Sequence, residues 1–201
     1  MHIADGVLTL EATLIVSIVS AGILYVGMKR LKEEHIAIAA VCSALFFVAS
    51  FIHIPFGVTQ IHLMLLGVIG LLVGLSGFVS IAIALILQAL LMGYGGIASI
   101  GVNLFIMGVP IVLVHWLYKT ALFQRLNDKV QFFLVGFIGT FFATLFLTVI
   151  LYFSKAEYET AAMTILGVNS ITMIIEGIVS MFLLLFIKKT YPKLLRRNLH
   201  A

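Results

Sequence analysis

The sequence has few charged residues and only one cysteine. Of its 201 residues, 10% are charged and 63% are hydrophobic, and the mean hydropathy is +1.24. Soluble domains carry about 25% charged residues, so this composition excludes them and predicts a chain embedded in a bilayer. The single cysteine, Cys42, has no partner within the chain, which excludes an intramolecular disulfide framework.

Several motifs of soluble enzymes and nucleic-acid-binding proteins are also missing. The sequence contains no G-x-x-x-x-G-K-[ST] loop, no H-E-x-x-H motif and no G-x-S-x-G elbow. Its net charge of +4 comes from short basic clusters between apolar runs, not from one basic face, so no nucleic-acid partner is expected. We therefore expect a protein that is not an enzyme and that does not hydrolyse ATP through a P-loop.

The N-terminal flank does not have the pattern of a cleavable signal peptide. Residues 1–8 contain Asp5 and no Lys or Arg, whereas a signal peptide begins with a basic region. Histidine at position 2 is too large for the usual removal of the initiator methionine. We expect the mature chain to begin at Met1.

The apolar runs predict an all-α, polytopic bundle of about seven transmembrane helices. A bilayer core needs about 20 apolar residues per helix, and shorter helices are tolerated among neighbours. Ser76-Gly77 is interpreted as the turn of a hairpin between the third and fourth runs. The predicted spans are Leu10–Met28, Ile36–Phe51, His62–Leu75, Phe78–Met92, Val102–Tyr118, Phe132–Phe153 and Ala162–Ile187.

The basic residues predict the orientation of these spans, because Lys and Arg in short loops favour the cytoplasm. Seven spans with the N-terminus outside place eleven of the twelve basic residues inside, and only Lys155 outside. The C-terminus is then cytoplasmic. Four segments meet at the outer surface: residues 1–9, Ile52–Ile61, Gly93–Gly101 and Ser154–Thr160.

A single membrane domain accounts for the whole chain, 1–201. We expect an outer N-terminal segment at 1–9, a seven-helix bundle at 10–187 and a basic cytoplasmic tail at 188–201. No hydrophilic stretch is long enough for a separate soluble domain.

The N-terminus is the best candidate for a metal site. Met1 offers its α-amine, and His2 offers its backbone amide nitrogen and its imidazole. Together they close a five-membered and a six-membered chelate ring on one ion. Four nitrogens in a plane suit Ni(II) or Cu(II), and cobalt uses similar donors. His62, predicted at the outer end of the third helix, is the candidate for the fourth nitrogen.

Other polar residues at the same surface are candidates for supporting or entry roles. Asp5, Gln60 and Asn103 are predicted to hold the ligands in place. His53 lies in the same outer turn and is a candidate ligand or entry residue, although single histidines near helix ends are common at membrane interfaces. The other histidines, at positions 35, 115 and 200, fall on the cytoplasmic side in the predicted topology.

Two features inside the spans are interpreted as structural. Glu176 is the one carboxylate deep in a predicted span, and an ionisable group there is costly. We expect it to hold two helices together through hydrogen bonds. Small residues recur at Gly67, Gly70, Gly74 and Gly77, a spacing that permits close helix approach within the chain or to a partner.

The opening Met1-His-Ile-Ala-Asp-Gly6 and the stretch Gly93-Tyr-Gly-Gly-Ile-Ala-Ser-Ile-Gly-Val-Asn-Leu-Phe-Ile-Met-Gly108 resemble the CbiM/NikM family. These are cobalt/nickel substrate-binding S components of energy-coupling-factor ABC importers. The resemblance includes the segment from His62 to Gly67 and so covers roughly the first 110 residues. Where relatives carry polar residues, this chain has Leu104 and Ile106, which predicts a drier pocket.

The resemblance implies a role for particular residues and partners. It implies a seven-helix fold in which Met1 and His2 supply three nitrogens to Ni(II) or Co(II), His62 supplies the fourth, and Asn103 organises the glycine-rich loop. It also implies a transmembrane coupling (T) protein, cytosolic ATPase subunits, in some systems a small accessory membrane protein, and a location in the cell membrane of a prokaryote.

Three alternatives stay open at this point. A vitamin or cofactor S component would carry Met-His by accident and would bind with its N-terminus blocked. An intramembrane metalloenzyme would keep an open coordination position for water. A passive channel would conduct without ATPase partners.

Overall fold

The structure, a computed structural model, is a helical bundle with one short hairpin of strands. It describes residues 2–51, 53–56, 59–154 and 159–197, without the side chains of 53–56, 59–61, 159, 161, 162, 196 and 197. The elements are α1 (Leu10–Arg30), α2 (Glu33–Ala49), β1 (His53–Phe56), β2 (Thr59–His62), α3 (Leu66–Val73), α4 (Gly77–Met92), α5 (Ile100–Tyr118), α6 (Ala121–Gln124), α7 (Asp128–Ser154), α8 (Glu159–Thr190) and α9 (Pro192–Arg197).

The predicted membrane-spanning bundle is confirmed in its helical class. Each predicted span overlaps one of the helices α1, α2, α3, α4, α5, α7 and α8. Among the described residues, five helical units are long and apolar enough to cross a bilayer, because α2 has 17 residues and the stretch from α3 through α4 counts as one unit. The number of crossings and the side on which each terminus lies stay predictions.

Helix α5 lies at the centre of the bundle and α1 at its surface. α5 packs against α1, α3, α4 and α7, and its Val102, Ile106 and Ile111 side chains are completely buried. α1 buries few of its residues, and apolar side chains such as Ile15 and Ile18 are exposed on it. An apolar surface of this kind is typical of a helix that faces lipid.

The chain reverses direction between α3 and α4, as the hairpin prediction requires. In a continuous helix, residues eight positions apart are separated by about 12 Å. Here the Cγ2 atom of Ile69 lies 3.1 Å from the position that a Cβ on Gly77 would occupy. The turn itself is the 3-10 segment Gly74–Ser76, which begins with a positive φ of 56° at Gly74.

The glycines of α3 allow it to touch two neighbouring helices at its backbone. A Cβ on Gly67 would overlap the carbonyl oxygen of Val135 in α7, and one on Gly70 would lie 2.6 Å from the carbonyl oxygen of Ile111 in α5. Close packing is the role predicted for these glycines, and in the structure it serves contacts within the chain.

The predicted start of the third helix at His62 is wrong. His62 ends β2, which pairs antiparallel with β1 in the register His53↔His62, and α3 begins only at Leu66. Ile54 pairs with Ile61, and β-branched residues favour strands over helices. The backbone N–H groups of Met64 and Leu65 bind a side chain of another helix, which is the second reason that the helix starts late.

The side chain that binds the N–H groups of Met64 and Leu65 is the buried carboxylate of Glu176 in α8. Its oxygens accept hydrogen bonds from the backbone N–H of Met64 and, at 3.1 and 3.2 Å, from that of Leu65. Glu176 therefore joins α8 to the start of α3, which is the helix-locking role expected from the sequence. Without this carboxylate, buried backbone donors at the start of α3 would lose their partner.

Replacing Glu176 is expected to destabilise the bundle through those donors. Glu176→Leu leaves the two N–H groups unpaired, at about 1–3 kcal/mol each, whereas Glu176→Gln keeps one acceptor oxygen and loses less. The matched control is Ser180→Ala, one turn away on α8, because the buried Ser180 hydroxyl has no partner among the described residues. The melting temperatures of the three variants are measured by thermal unfolding in detergent. Equal melting temperatures for Glu176→Leu and Ser180→Ala would contradict the assignment.

Candidate metal centre

Residues 2–9, here called the N-terminal segment, lie against the ends of α4 and α5: His2 contacts Gln88 of α4 and Ile3 contacts Asn103 of α5, whereas residues 4–6 and 9 are exposed. Ile3 is buried, and its N–H donates to the Asn103 side-chain oxygen at 2.8 Å while the Asn103 amide donates back to the Ile3 carbonyl at 2.9 Å. These paired bonds reproduce the pattern between neighbouring strands. Asn103 thus contacts the N-terminal segment directly, next to the predicted ligand His2, whereas the family resemblance implied a role in organising the glycine-rich loop.

Asp5 holds the other side of the N-terminal segment against the start of α5. Its carboxylate accepts hydrogen bonds from the backbone N–H of Ser99 at 2.8 Å and of Ala98 at 3.3 Å. Hydrogen bonding to Ser99 is the main cause that lowers the pKa of Asp5, so the carboxylate stays ionised. An anionic group at a helix N-terminus is favoured by the exposed N–H groups and the helix dipole.

Two glycines of the 93–101 loop leave space for this arrangement. A Cβ on Gly95 would lie 2.6 Å from the Asn103 side-chain nitrogen and 3.4 Å from the His2 Cβ. A Cβ on Gly96 would overlap the Asp5 carboxylate. Both glycines have positive φ, 76° and 86°, which L side chains adopt only with strain. The loop therefore closes over the N-terminal segment because it has no side chains at these two positions.

Gly96→Ala is expected to weaken metal binding at this end by about tenfold or more, equivalent to about 1.4 kcal/mol. The added methyl group forces Asp5 out of place and so loosens the N-terminal segment. Gly93→Ala is the matched control, because Gly93 also has a positive φ, 68°, but a Cβ there meets nothing within 4 Å. Titration with Ni(II) distinguishes the two: similar losses for both variants would show that backbone strain alone is responsible.

The position of the N-terminal segment also brings His2 beside His62. Their ring centroids are 5.8 Å apart with planes inclined by 23°, and the Tyr94 ring lies 5.9 Å from His2. His62 Nδ1 lies 3.4 Å from the Leu63 carbonyl oxygen. Two imidazoles from distant parts of the sequence thus meet at the end of the bundle that also holds the N-terminal segment.

Burial keeps the His2 imidazole neutral. It lowers the pKa of His2 from 6.5 to about 3, against the opposing effect of a hydrogen bond with Gln88. A neutral imidazole is the form that binds a metal. A lowered pKa also means that docking of His2 stabilises the fold fully above pH 6.5 and progressively less as the pH falls towards 3.

Gln88 is a neighbour of His2 that the sequence reasoning missed. Its side-chain oxygen lies 3.0 Å from His2 Nε2, and the residue is completely buried in α4. One clue was present in the sequence, since Gln88 is the one amide side chain in the predicted span Phe78–Met92. Isolated polar residues in membrane helices commonly mark functional sites.

The remaining candidate residues are placed as follows. Met1 lies outside the described residues, as do the side chains of His53 and Gln60, whose backbones belong to β1 and β2. His35 and His115 line a cavity at the opposite end of the bundle together with Lys29 and Arg30. Within the described part of the chain no three His, Cys, Asp or Glu side chains form a metal-binding cluster. A centre built on His2 and His62 needs main-chain nitrogens as well.

Comparison with known proteins identifies the family to which this arrangement belongs. Residues 2–194 match the model of the CbiM family, described as the cobalt uptake substrate-specific transmembrane region. The chain belongs to the CbiM family. The resemblance seen in the first 110 residues is confirmed, and it extends over almost the whole chain.

Two relatives of this CbiM-family protein are of similar length to it. A protein of Haemophilus influenzae assigned to metal transport is 31% identical over 202 residues, covering 98% of both chains. The cobalt transport protein CbiM of Clostridium tetani is 29% identical, covering 96% of this chain and 86% of its own. The crystal structure of a truncated transition metal transporter has a TM-score of 0.80 and 23% identity over 94% of this chain and 99% of its own, which shows the shared fold. The family match and the five described helical units that can cross a bilayer show that the chain is a multi-pass membrane protein.

Proposed function

We propose that this CbiM-family protein captures Ni(II) or Co(II) at the outer face of the cell membrane, as the S component of an energy-coupling-factor ABC importer. The observation that carries the proposal is the meeting of His2 and His62, with ring centroids 5.8 Å apart, at the end where the N-terminal segment is anchored. The names of the relatives, which include cobalt transport proteins and fused nickel transport proteins, support the same cargo.

The chelate chemistry explains why the N-terminus is inserted into the protein. The α-amine of Met1, the amide nitrogen of His2 and the His2 imidazole bind one ion, and the His62 imidazole completes four nitrogens. The amide proton and any amine proton leave as the metal binds, so affinity falls as the pH falls. A plane of four nitrogens suits Ni(II), and it leaves no position in that plane for the water that a hydrolytic metalloenzyme needs.

The anchoring contacts reduce the entropy lost on binding. A free dipeptide would have to order its own backbone around the metal. Here the bonds of Ile3 to Asn103 and of Asp5 to Ser99 already fix the direction in which the N-terminal segment runs. This preorganisation supports capture of a dilute ion.

Energy for transport is assigned to partner subunits. The sequence has no P-loop, so the proposal includes a transmembrane coupling protein and cytosolic ATPases, with a small accessory membrane protein in some systems. From the positive-inside pattern we infer that the metal site lies outside and that the cavity lined by Lys29, Arg30 and Lys32 lies at the cytoplasmic end.

Uptake of radioactive nickel by a bacterial strain without its own nickel importer tests this function. Cells that express the chain together with a coupling protein and ATPases from the same genome are expected to accumulate nickel. Accumulation is expected to disappear with His2→Ala, and also when the P-loop lysine of the ATPase is replaced. Uptake at the full rate by the chain alone, or with the inactive ATPase, would refute the ATP-driven role and favour a channel.

A further inference from the structure

The side chain of Gln88 is buried and makes a polar contact with His2. It lies in the last turns of α4, completely buried, in a helix that is otherwise apolar around it. Its oxygen is 3.0 Å from His2 Nε2, and its side-chain nitrogen has no partner among the described residues. Burial of an amide without full hydrogen bonding costs about 1–3 kcal/mol. A cost of this size indicates that the contact with His2 has a functional role.

We propose that Gln88 is a positioning residue that holds the proton of His2 on Nε2, so that Nδ1 presents its lone pair to the transported metal. The inference rests on the proposed function and assigns a residue that selects the tautomer of the ligand.

The hydrogen-bond chemistry fixes the direction of the contact. The side-chain oxygen of glutamine only accepts hydrogen bonds, so the His2 nitrogen that faces it carries the hydrogen. A neutral imidazole has one N–H, and its other nitrogen then has a lone pair. With Gln88 in place, that other nitrogen is Nδ1.

The chelate ring requires the same nitrogen. From the His2 amide nitrogen through Cα, Cβ and Cγ to Nδ1, the metal closes a six-membered ring. A ring closed through Nε2 would have seven members, and Nε2 is the nitrogen that faces Gln88. Binding through Nδ1 takes no proton from the imidazole, because Nε2 keeps its hydrogen throughout and only the main-chain nitrogens lose protons.

An amide at this position also differs from a carboxylate in its effect on release. Metal-binding histidines commonly donate to a carboxylate or a carbonyl, and a carboxylate raises the basicity of the ligand more. Gln88 orients the ring without adding a negative charge to the site. This suits a protein that must give up its cargo after capturing it.

Nitrogen NMR of the metal-free protein, with labelled histidine, tests the tautomer directly. Wild-type His2 is expected as the Nε2–H form. Gln88→Leu is expected to give a mixture of tautomers and to lower nickel affinity about 10- to 100-fold. Gln88→Glu keeps an acceptor oxygen and is expected to retain the Nε2–H form, with a nickel affinity equal to or above that of wild type because the carboxylate makes the imidazole more basic.

Gln131→Leu is the matched control. Gln131 is also buried, and its amide donates to the Phe123 carbonyl at 3.0 Å, away from the N-terminal segment. The same substitution there is expected to lower thermal stability, whereas the tautomer of His2 and the nickel affinity stay unchanged. This comparison separates loss of stability from loss of positioning.

Two results would overturn the inference: an Nδ1–H tautomer in the wild-type protein, or a Gln88→Leu variant with wild-type tautomer and affinity. Failure of the proposed function has a different signature, because the wild-type protein would then bind no nickel. Wild-type nickel binding that is insensitive to Gln88 refutes only the role of Gln88.

Discussion

Blocking the amino group of Met1 is expected to lower nickel affinity by at least about 100-fold, equivalent to about 2.8 kcal/mol. The loss has two parts. An acylated nitrogen is no longer an amine donor, and without the five-membered ring that the amine starts, the metal does not displace the proton of the His2 amide. Two of the four proposed nitrogens are lost by one modification that leaves every side chain unchanged.

The comparison is sharpest with one polypeptide before and after proteolysis. A leader peptide of several residues ends in a protease site that leaves Met1 as the first residue after cleavage. The uncleaved chain is expected to bind weakly and the cleaved chain tightly, as measured by competition with a coloured chelator. A leader of one residue is unsuitable, because an imidazole at the third position of a chain is itself a strong terminal chelator. Equal affinities before and after cleavage would exclude the terminal amine as a ligand.

His62→Ala is expected to lower nickel affinity by about 100-fold. Removing a residue that only hydrogen-bonds to a metal ligand lowers metal affinity by about 10- to 100-fold. Loss of the ligand itself is therefore expected to lower affinity by the upper end of that range or more. The variant keeps the three nitrogens of the N-terminus and is therefore expected to bind nickel weakly, with solvent in the fourth position.

A control for this variant removes an imidazole from the other end of the bundle. The control variant is His35→Ala. His35 lines the cavity at that end together with Lys29 and Lys32. Its nickel affinity is expected to equal that of the wild type. If His62→Ala also bound nickel with wild-type affinity, the fourth nitrogen would have to come from a different residue.

Hydropathy predicted the bundle because lipid imposes a simple requirement on a helix. Each apolar run in the sequence corresponds to a helix in the structure, with ends that shift by several residues, as at α8, predicted from Ala162 and beginning at Glu159. Long apolar segments have no other way to satisfy their backbone inside a bilayer.

The predicted start of the third helix failed for a reason that no local pattern contains. Residues 59–62 form a strand because residues 53–56 lie beside them, and Met64 and Leu65 bind Glu176, more than a hundred positions away. Glu176 was recognised as unusual, but its partners were backbone groups and therefore had no signature in the sequence.

The candidate site was predictable where the chemistry is local and not where it depends on packing. Met1 and His2 are adjacent, so the proposed chelate rings follow from the sequence. The sequence predicts supporting roles for Asn103 and Asp5, but their contacts with Ile3 and Ser99 depend on the fold. Gln88 needed the structure, because its role depends on α4 passing beside an inserted terminus.

X-ray absorption spectroscopy of nickel bound to the untagged chain tests the central claim most directly. The proposal predicts one nickel per chain with four nitrogen neighbours in a square plane, and loss of that spectrum in His2→Ala. A six-coordinate, oxygen-rich nickel in the wild-type protein, or an identical spectrum in His2→Ala, would contradict it.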